Sequence, residues 1–434
     1  MPNEVICPYC FYTFRFQKVH FQIEMQSIDS GIIDRKADKS KFQLTVDPLY
    51  RDHWIKYAAT AAHADYSKAR LPAYPVDEVG VFDTKSMEID DDGFIRSICD
   101  LTRNKCENRV CPKCHNSLPG QYGKYPIKFI TVVGRKSAGK SIYLRQLFAR
   151  INSYAAKVGM AANILGDATR LYMQNNKVDS GLPTPSGTVS DVFEQPLFCN
   201  LKKQSRSIGI EEGIVETLVF FDIAGENLLT EKSLNMYGQF VRQSSALIFL
   251  IPPEDACNRE GHTDSELVAE VIQSSCFRKT SNIPVAIVLS MYDQIEAGKP
   301  DLLLQQLEGV PELSDSTTVL GTKKYQQVFN KQAHEDLKVK LNKNHSLSPA
   351  MIQQLLSFGE NNVELFACSA TGSAIIQGED WDVFAADMHP IRIEEPFYWI
   401  LSRFGILRVM DSFETVDNEG SKRKGFFRKK RDRS

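Results

Sequence analysis

Residues 134–141 constrain this chain more than any other segment of it. They read GRKSAGKS and fit the pattern G-x-x-x-x-G-K-S/T, with an apolar run before them and a helical pattern after them. In that context the glycines let the backbone wrap a phosphate group at a helix N-terminus, where the helix dipole favours an anion. We expect Lys140 to reach the β- and γ-phosphates of a nucleotide and the Ser141 hydroxyl to ligate Mg²⁺. A chance glycine-rich turn is the alternative interpretation. The other loop positions that we assign to nucleotide binding are Gly134, Lys136, Ser137, Ala138, Gly139 and Ile142.

Short apolar runs alternate with helical stretches from residue 128 onward. The runs lack period-2 alternation, which is typical of strands that are buried on both faces. Strands and helices in alternation predict an α/β fold of the P-loop NTPase type, with a mostly parallel sheet flanked by helices. The predicted strands are 129–133, 217–221, 246–251, 284–289 and 363–367, and the predicted helices are 141–158, 229–243, 265–279 and 396–403.

A carboxylate at the end of a neighbouring strand completes the expected phosphate and magnesium site. The strand at 217–221 leads directly into Asp222, which we expect to hold the magnesium shell, and Gly225 follows three residues later. The N–H of Gly225 is placed to meet a γ-phosphate, so that its loop would move on hydrolysis. Either Thr184 or Thr188 completes the Mg²⁺ shell in this interpretation, and Thr188 is preferred because it lies nearer to the following segment. A turn-forming role for both threonines is the alternative.

Two later strand ends carry the residue types that recognise a base. The chain reads SMYD at 290–293 and CSA at 368–370, each directly after a predicted strand. Together with 134–141 and 222–225, these segments stand in the order of the TRAFAC class of GTPases, which the chain resembles over about residues 125–407. The paired CPxC motifs, the Pro-Thr-Pro loop and the ending EPFYW further resemble the bacterial double-GTPase domains.

The resemblance implies binding of GTP and GDP and hydrolysis of GTP. Asp293 would read guanine, with Ser290 and Met291 beside it, and Ser369 and Ala370 would place an N–H near the guanine carbonyl. It also suggests a role in bacterial conflict, defence or multi-component systems. The class carries Asn or Thr and then Lys at the positions of Ser290 and Met291, so the usual lysine stem is absent here. Methionine can pack on an aromatic ring, and an ATP-using site stays open as the alternative.

The catalytic residues implied by the resemblance are Lys140, Asp222 and Glu226. Glu226 stands where Ras-like members carry the glutamine that orients the attacking water, and a solvated glutamate at a helix start is the alternative. Arg135 and Arg170 are the candidates for an arginine finger within the chain, and we assign neither. A protein partner or a second copy is therefore expected to supply one.

Two Cys-Pro-x-Cys pairs lie about a hundred residues apart. Each pair presents two thiolates to one tetrahedral ion, which predicts a structural Zn²⁺ site in a zinc-ribbon-like element, and a redox pair is the alternative. Cys99 and Cys106 could replace the N-terminal pair as ligands, and His115 could substitute for one, although a surface histidine is the favoured interpretation. The predicted ligands are Cys7, Cys10, Cys111 and Cys114; the thiols expected to be ordinary are Cys199, Cys257, Cys276 and Cys368.

The 434 residues exceed the usual size of one compact domain. We expect a zinc-ribbon-like element at 1–122 with an insertion at 11–110, a P-loop GTPase domain at 123–410 and a basic disordered tail at 411–434. Residues 421–434 carry eight Lys/Arg against one Asp, giving +7 and leaving −9 for the rest of a chain with a net charge of −2. Attraction to anionic membrane or to nucleic acid are two interpretations of this tail, and a solvated end is the third. No apolar run is long enough to span a bilayer, so we expect a cytoplasmic protein, with peripheral membrane association as an option.

Overall fold

The computed structural model describes residues 4–24, 36–57, 66–175, 195–203, 215–256, 263–276, 283–291, 358, 362–372, 375–376, 383–384 and 388–407. Five predictions lie outside these ranges: those for Thr184, Thr188, Cys257, Asp293 and the tail at 411–434. Within the described residues, no helix is both long and apolar enough to cross a membrane.

The described residues before 126 form short strands around one α-helix. These elements are β1 (Glu4–Ile6), β2 (Thr13–Arg15), β3 (His20–Gln22), α1 (Pro48–Trp54), β4 (Ala73–Pro75), β5 (Phe82–Ile89), β6 (Ile95–Asp100), β7 (Lys105–Cys106), β8 (Arg109–Val110) and β9 (Ser117–Leu118). All pairs are antiparallel: a hairpin of β1 and β2, a sheet of order β4-β3-β8-β9 and a sheet of order β5-β6-β7. Helix α1 begins at Pro48 because the Asp47 carboxylate accepts hydrogen bonds from the N–H groups of Leu49 and Tyr50.

The remainder alternates strands and helices. Its elements are β10 (Ile127–Gly134), α2 (Lys140–Lys157), β11 (Met160–Leu165), α3 (Asp167–Asn175), β12 (Leu197–Lys203), β13 (Val215–Ala224), α4 (Glu231–Arg242), β14 (Ala246–Ile251), α5 (Pro253–Ala256), α6 (Asp264–Val271), β15 (Val285–Leu289), β16 (Val363–Ala367), β17 (Ile375–Ile376), β18 (Val383–Phe384) and α7 (Glu395–Arg403). A 3₁₀ turn at Gly225–Leu228 joins β13 to α4, and β17 pairs antiparallel with β18.

A mixed sheet of seven strands, in the order β11-β12-β13-β10-β14-β15-β16, forms the centre of the fold. All five predicted strands are present, as β10, β13, β14, β15 and β16. They occupy adjacent positions in the sheet, and each neighbouring pair of them is parallel. Strands β11 and β12 add an antiparallel edge that the sequence pattern did not predict. Asn163 and Asn200, which lie opposite each other, interrupt their apolar runs and so weaken the strand signal.

The two faces of the sheet are covered by different parts of the chain. Phe220 of β13 packs on Phe148 of α2, with ring centroids 5.2 Å apart, on the face that α7 also covers. Phe221 points to the other face and meets Phe240 of α4, with centroids 5.0 Å apart. The hydrophobic cluster on that face continues into the described residues before 126. The cysteine-bearing part and the sheet therefore share one core on the α4 side.

Candidate nucleotide and metal sites

The loop between β10 and α2 has the backbone shape that its two glycines require. A Cβ on Gly134 would lie 2.5 Å from the carbonyl oxygen of Leu250, so no side chain fits there. Gly139 directly precedes α2 with a φ of 78°, in the left-handed region that favours glycine. Ser137 also has a positive φ, of 61°. The loop is thus folded tightly against the end of β14.

Lys140, Ser141 and Asp222 converge at the carboxyl ends of two adjacent parallel strands. The register of β10 and β13 pairs Val132 with Asp222, which brings this carboxylate beside the start of α2. The Ser141 hydroxyl donates to Oδ2 of Asp222 at 2.6 Å, and the Lys140 ammonium donates to the Arg135 carbonyl at 2.8 Å. Burial raises the pKa of Asp222 and lowers the pKa of Lys140, while their mutual attraction opposes both shifts.

The residues at this centre suit a hard divalent cation. Oδ1 of Asp222 is buried and has no hydrogen-bond partner among the described residues, although its Oδ2 is occupied. A carboxylate oxygen left in this state is costly unless a cation or water meets it. Carboxylate and hydroxyl oxygens are ligands that Mg²⁺ prefers. Asp222 and Ser141 therefore fit the predicted magnesium shell.

Gly225 and Glu226 lie against the loop at 134–141. A Cβ on Gly225 would come 2.8 Å from the Gly134 carbonyl oxygen, so only glycine permits this approach. Oε1 of Glu226 accepts a hydrogen bond from the backbone N–H of Lys136. The carboxylate is thus engaged with the loop itself.

The two candidate arginine fingers, Arg135 and Arg170, form ion pairs with nearby carboxylates. The Arg135 guanidinium donates to Glu254 at 2.7 Å and lies 3.0 Å from Asp255, which holds it at the start of α5. Arg170 pairs with Asp167 one turn away on α3, at 3.2 Å. Both guanidinium groups are thus held by carboxylates of their own.

A pocket opens beside Gly139 at the ends of β15 and β16. Met291, with a φ of 48°, directs its side chain toward Gly139, and Ser290 and Ala370 line the same pocket. Ser369 is not among the lining residues, and its Oγ accepts a hydrogen bond from the Gly372 N–H at 2.8 Å within the same loop. Among the described residues, the lining consists of Gly139, Ile142, Tyr143, Leu250, Ser290, Met291, Cys368, Ala370 and Thr371.

Four of the lining residues were not among those assigned from the sequence: Tyr143, Leu250, Cys368 and Thr371. Cys368 and Thr371 flank Ser369 and Ala370, so that extending the motif by one residue on each side would have found them. Cys368 is buried, as expected of an ordinary thiol, and it also stands in the wall of the pocket. Tyr143 and Leu250 come from a helix and a central strand, where they look like any core residue.

The two Cys-Pro-x-Cys turns meet although about a hundred residues separate them. Cys7 lies 3.6 Å from Cys114 and Cys10 lies 3.7 Å from Cys111, measured between Sγ atoms, and all four Sγ atoms lie within 4.8 Å of one another. Four thiolates at about 2.3 Å from one tetrahedral zinc ion would stand roughly 3.8 Å apart. The cluster can therefore hold a metal ion of this kind.

Backbone and side-chain N–H groups face three of these sulfur atoms. The N–H of Tyr9 points to Cys7 at 3.4 Å, and the N–H of Lys113 points to Cys111 at 3.4 Å. The Asn116 amide donates to Cys114 at 3.3 Å. Such donors favour the thiolate form over the thiol form, and the thiolate is the form that binds metal.

The alternative ligands lie apart from the cluster. Cys106 is buried with its Sγ 4.0 Å from Asp100, and Cys99 belongs to the β5-β6-β7 sheet. The expectation of a surface position for His115 is wrong, because only 7% of this residue is exposed. Its Nδ1 lies 2.8 Å from Asp47 and its Nε2 lies 3.0 Å from His20, so neither ring nitrogen faces the thiols. The cap of α1 explains the burial, because Asp47 serves both the helix and the imidazole.

Comparison with known proteins gives one curated relative. SaeC of Mycolicibacterium smegmatis, named as a candidate ESX-1 scaffolding and assembly protein, is 24% identical over 323 residues, which cover 69% of this chain and 80% of SaeC. No family model matches the chain.

Solved structures of GTP-binding proteins overlap with the chain at low identity. Era of Aquifex aeolicus bound to GDP and AlF₄⁻ shares 14% identity, covers 56% of this chain and 52% of Era, and has a TM-score of 0.25. The GTP-bound GTPase-like domain of Ski7 from S. cerevisiae shares 13% identity with the chain. The match covers 67% of this chain and 52% of that structure, with a TM-score of 0.28. Arl6 of Trypanosoma brucei with the nucleotide analogue GppNp shares 11% identity with the chain. The match covers 64% of this chain and 98% of Arl6, with a TM-score of 0.26. TM-scores this low carry no argument about the present chain.

Proposed function

We propose that this chain is a Mg²⁺-dependent GTPase that binds GTP and GDP and acts as a regulatory component of a larger assembly. The observation that carries the proposal is the hydrogen bond from Ser141 to Asp222 beside the buried Lys140. It lies at the C-terminal end of the loop at 134–141, whose conformation requires glycine at two positions. This is the arrangement of groups that cradles a triphosphate and its metal ion.

The chain's own residues would act on the γ-phosphate end of the nucleotide. The loop N–H groups at 136–142 and the Lys140 ammonium bind and orient the phosphates, and Gly225 brings the following turn within reach of them. Asp222, Ser141 and either Thr184 or Thr188 would hold Mg²⁺. The chemistry that a bound Mg²⁺ would supply there is neutralisation of the charge on the phosphate oxygens. Glu226 would orient the attacking water or accept its proton.

Guanine recognition is assigned to the pocket beside Gly139. Asp293 would accept the base N–H groups and the Ala370 N–H would meet the guanine carbonyl, with Met291 packed against the ring. Met291 lines this pocket in place of the lysine of the class motif, which keeps ATP as the second candidate substrate. Loss of the lysine stem removes one of the features that the class uses around guanine.

The cysteine cluster is proposed as a structural Zn²⁺ site. Four thiolates are a donor set that suits zinc, and three of them are fully or nearly buried, which fits a folding role better than an open catalytic one.

The name of the SaeC relative supports a role in assembling a multi-component system, with protein partners or a second copy of this chain. The basic tail is a proposed contact with anionic membrane or nucleic acid, and we propose a cytoplasmic location, peripheral to membrane.

Nucleotide titration tests the main proposal. Purified protein with Mg²⁺ is titrated with fluorescent GTP and ATP, and phosphate release is followed with and without a lysate that supplies partners. We expect tighter binding of GTP, and loss of binding and turnover in Lys140→Ala. Lys157→Ala, at the far end of the same helix, is the matched control. Equal or tighter ATP binding would reject guanine specificity, and absence of Lys140-dependent turnover in every condition would leave a nucleotide-binding scaffold.

A further inference from the structure

The Glu226 carboxylate is bonded to the phosphate-binding loop rather than directed into solvent. It accepts the backbone N–H of Lys136, the third residue of the loop. Its position is set by the backbone, because Glu226 directly follows Gly225, which packs on the Gly134 carbonyl oxygen. Glu226 is the second residue of the turn at Gly225–Leu228. Asn227 and Leu228 are buried immediately after it, so the turn is anchored on both sides of the glutamate.

The groups around this carboxylate are those that bind a terminal phosphate. Loop N–H groups and the P-loop lysine are the anion-binding elements of such sites. Glu226 takes one of these N–H groups, and its charge also attracts the Lys140 ammonium, which raises the pKa of that lysine against the effect of burial. Lys140 itself donates to the Arg135 carbonyl within the loop. The Glu226 carboxylate thus occupies one of the loop's anion-binding N–H groups and partly neutralises the charge of Lys140.

We propose that Glu226 is an internal competitor of the γ-phosphate, so that this residue determines how strongly the site discriminates triphosphate from diphosphate. A γ-phosphate oxygen and the Glu226 carboxylate cannot share the Lys136 N–H and its surroundings without repulsion between like charges. Triphosphate must therefore displace the carboxylate from the Lys136 N–H, which leaves it available for the proposed role toward water, whereas diphosphate leaves this contact in place. Displacement releases the turn at 225–228 and transmits the nucleotide state to α4. The proposal rests on the proposed nucleotide binding and adds a residue that sets its selectivity.

Binding measurements on charge-neutral variants test this role. Kd values for a non-hydrolysable GTP analogue and for GDP, both with Mg²⁺, are measured for the unmodified protein, Glu226→Gln and Glu226→Ala. We expect the analogue to bind about tenfold more tightly to both variants, the size of one charge-assisted hydrogen bond, with less than about a twofold change for GDP. Glu231→Gln, an exposed glutamate at the start of α4, is the control and should change neither Kd.

Several outcomes would overturn the proposal. Equal tightening for both nucleotides would show a general charge effect, and weaker analogue binding would show that Glu226 helps to hold the triphosphate. No change in either Kd would show that the contact does not compete. Hydrogen exchange gives a second readout: the analogue, but not GDP, should raise exchange at 225–242 in the unmodified protein. Failure of the unmodified protein to bind any nucleotide would reject the proposed function itself, and the adenine analogue measured in parallel separates that result from a wrong base.

Discussion

The ring of Phe11 meets the ring of Phe240 edge-on, with centroids 4.9 Å apart and planes at 70°. Phe11 directly follows Cys10 and has a φ of 52°, so the turn that carries two thiols also directs this ring into the sheet. The same ring contacts Phe129 of β10 and Phe221 of β13, at 5.7 and 5.9 Å. The cysteine cluster is therefore packed against α4, the helix that follows the turn at Gly225–Leu228.

Removing the Phe11 ring should loosen this contact. We expect Phe11→Ala to lower the free energy of unfolding by about 2–3 kcal/mol, less than for a fully buried phenylalanine, because Phe11 is only partly buried. Thermal unfolding should shift down by roughly 2–5 °C, because the unfolding entropy of a chain of this length is large. Tyr12→Ala, at a neighbouring side chain that is 42% exposed, is the control and should cost less than half as much. Equal shifts for the two variants would contradict a specific role for Phe11.

Metal content distinguishes the four clustered thiols from the other cysteines. Cys7→Ser and Cys111→Ser should each lose most of the zinc measured by plasma emission, because three thiolates hold the ion far less tightly in a structural site. Cys99→Ser and Cys106→Ser should retain about one ion per chain. Retention of zinc in Cys7→Ser together with its loss in Cys106→Ser would move the site to the alternative ligands. A strong chelator should lower the unfolding temperature of the unmodified protein and of the two controls.

Arg109 is a buried cation that fastens the segment leading into β10. Its guanidinium donates to the carbonyl oxygens of Pro119, Gly120 and Tyr122 at 2.9, 2.5 and 3.0 Å, and burial lowers its pKa. Arg109→Met would leave three carbonyls without this donor, at an expected cost of about 3–5 kcal/mol in urea unfolding.

The control for this change is a surface arginine. Arg51 pairs with Asp52 at an exposed position, so Arg51→Met should cost less than about 1 kcal/mol. A similar cost for both methionine variants would show that the carbonyl contacts of Arg109 contribute little.

Glu216 should make stability depend on pH. Burial raises the pKa of this carboxyl, with a smaller opposing effect from Lys128, and Oε2 has no hydrogen-bond partner among the described residues. A folded-state pKa above the unfolded value means that the folded protein binds more protons, so stability falls as pH rises through that interval. Glu216→Gln should remove this loss and raise the unfolding temperature by about 1–2 °C at pH 7.5, with a smaller rise at pH 5. A difference that shrinks as pH rises would contradict this assignment.

Local sequence patterns predicted the elements of the parallel part of the sheet. Strands such as 246–251 are continuous apolar runs, and the glycine pattern at 134–141 specifies both the loop and the start of α2, because each signal lies within a few consecutive residues. The antiparallel edge was missed because polar residues such as Asn163 interrupt it, and because its pairing depends on a segment more than thirty residues away. Pocket residues such as Leu250 carry no local sign of their position.

By itself, the sequence determined that a glycine-rich loop precedes a helix, that a carboxylate directly follows another apolar strand and that two Cys-Pro-x-Cys pairs lie about a hundred residues apart. Each is a short-range property of residue type and spacing. Only the tertiary structure decided that β13 lies beside β10, so that Ser141 reaches Asp222, and that the thiol pairs meet under α4. It also decided that Glu226 turns onto the Lys136 N–H. These contacts join residues far apart in the chain, and their geometry follows from strand order and packing, which no local pattern specifies.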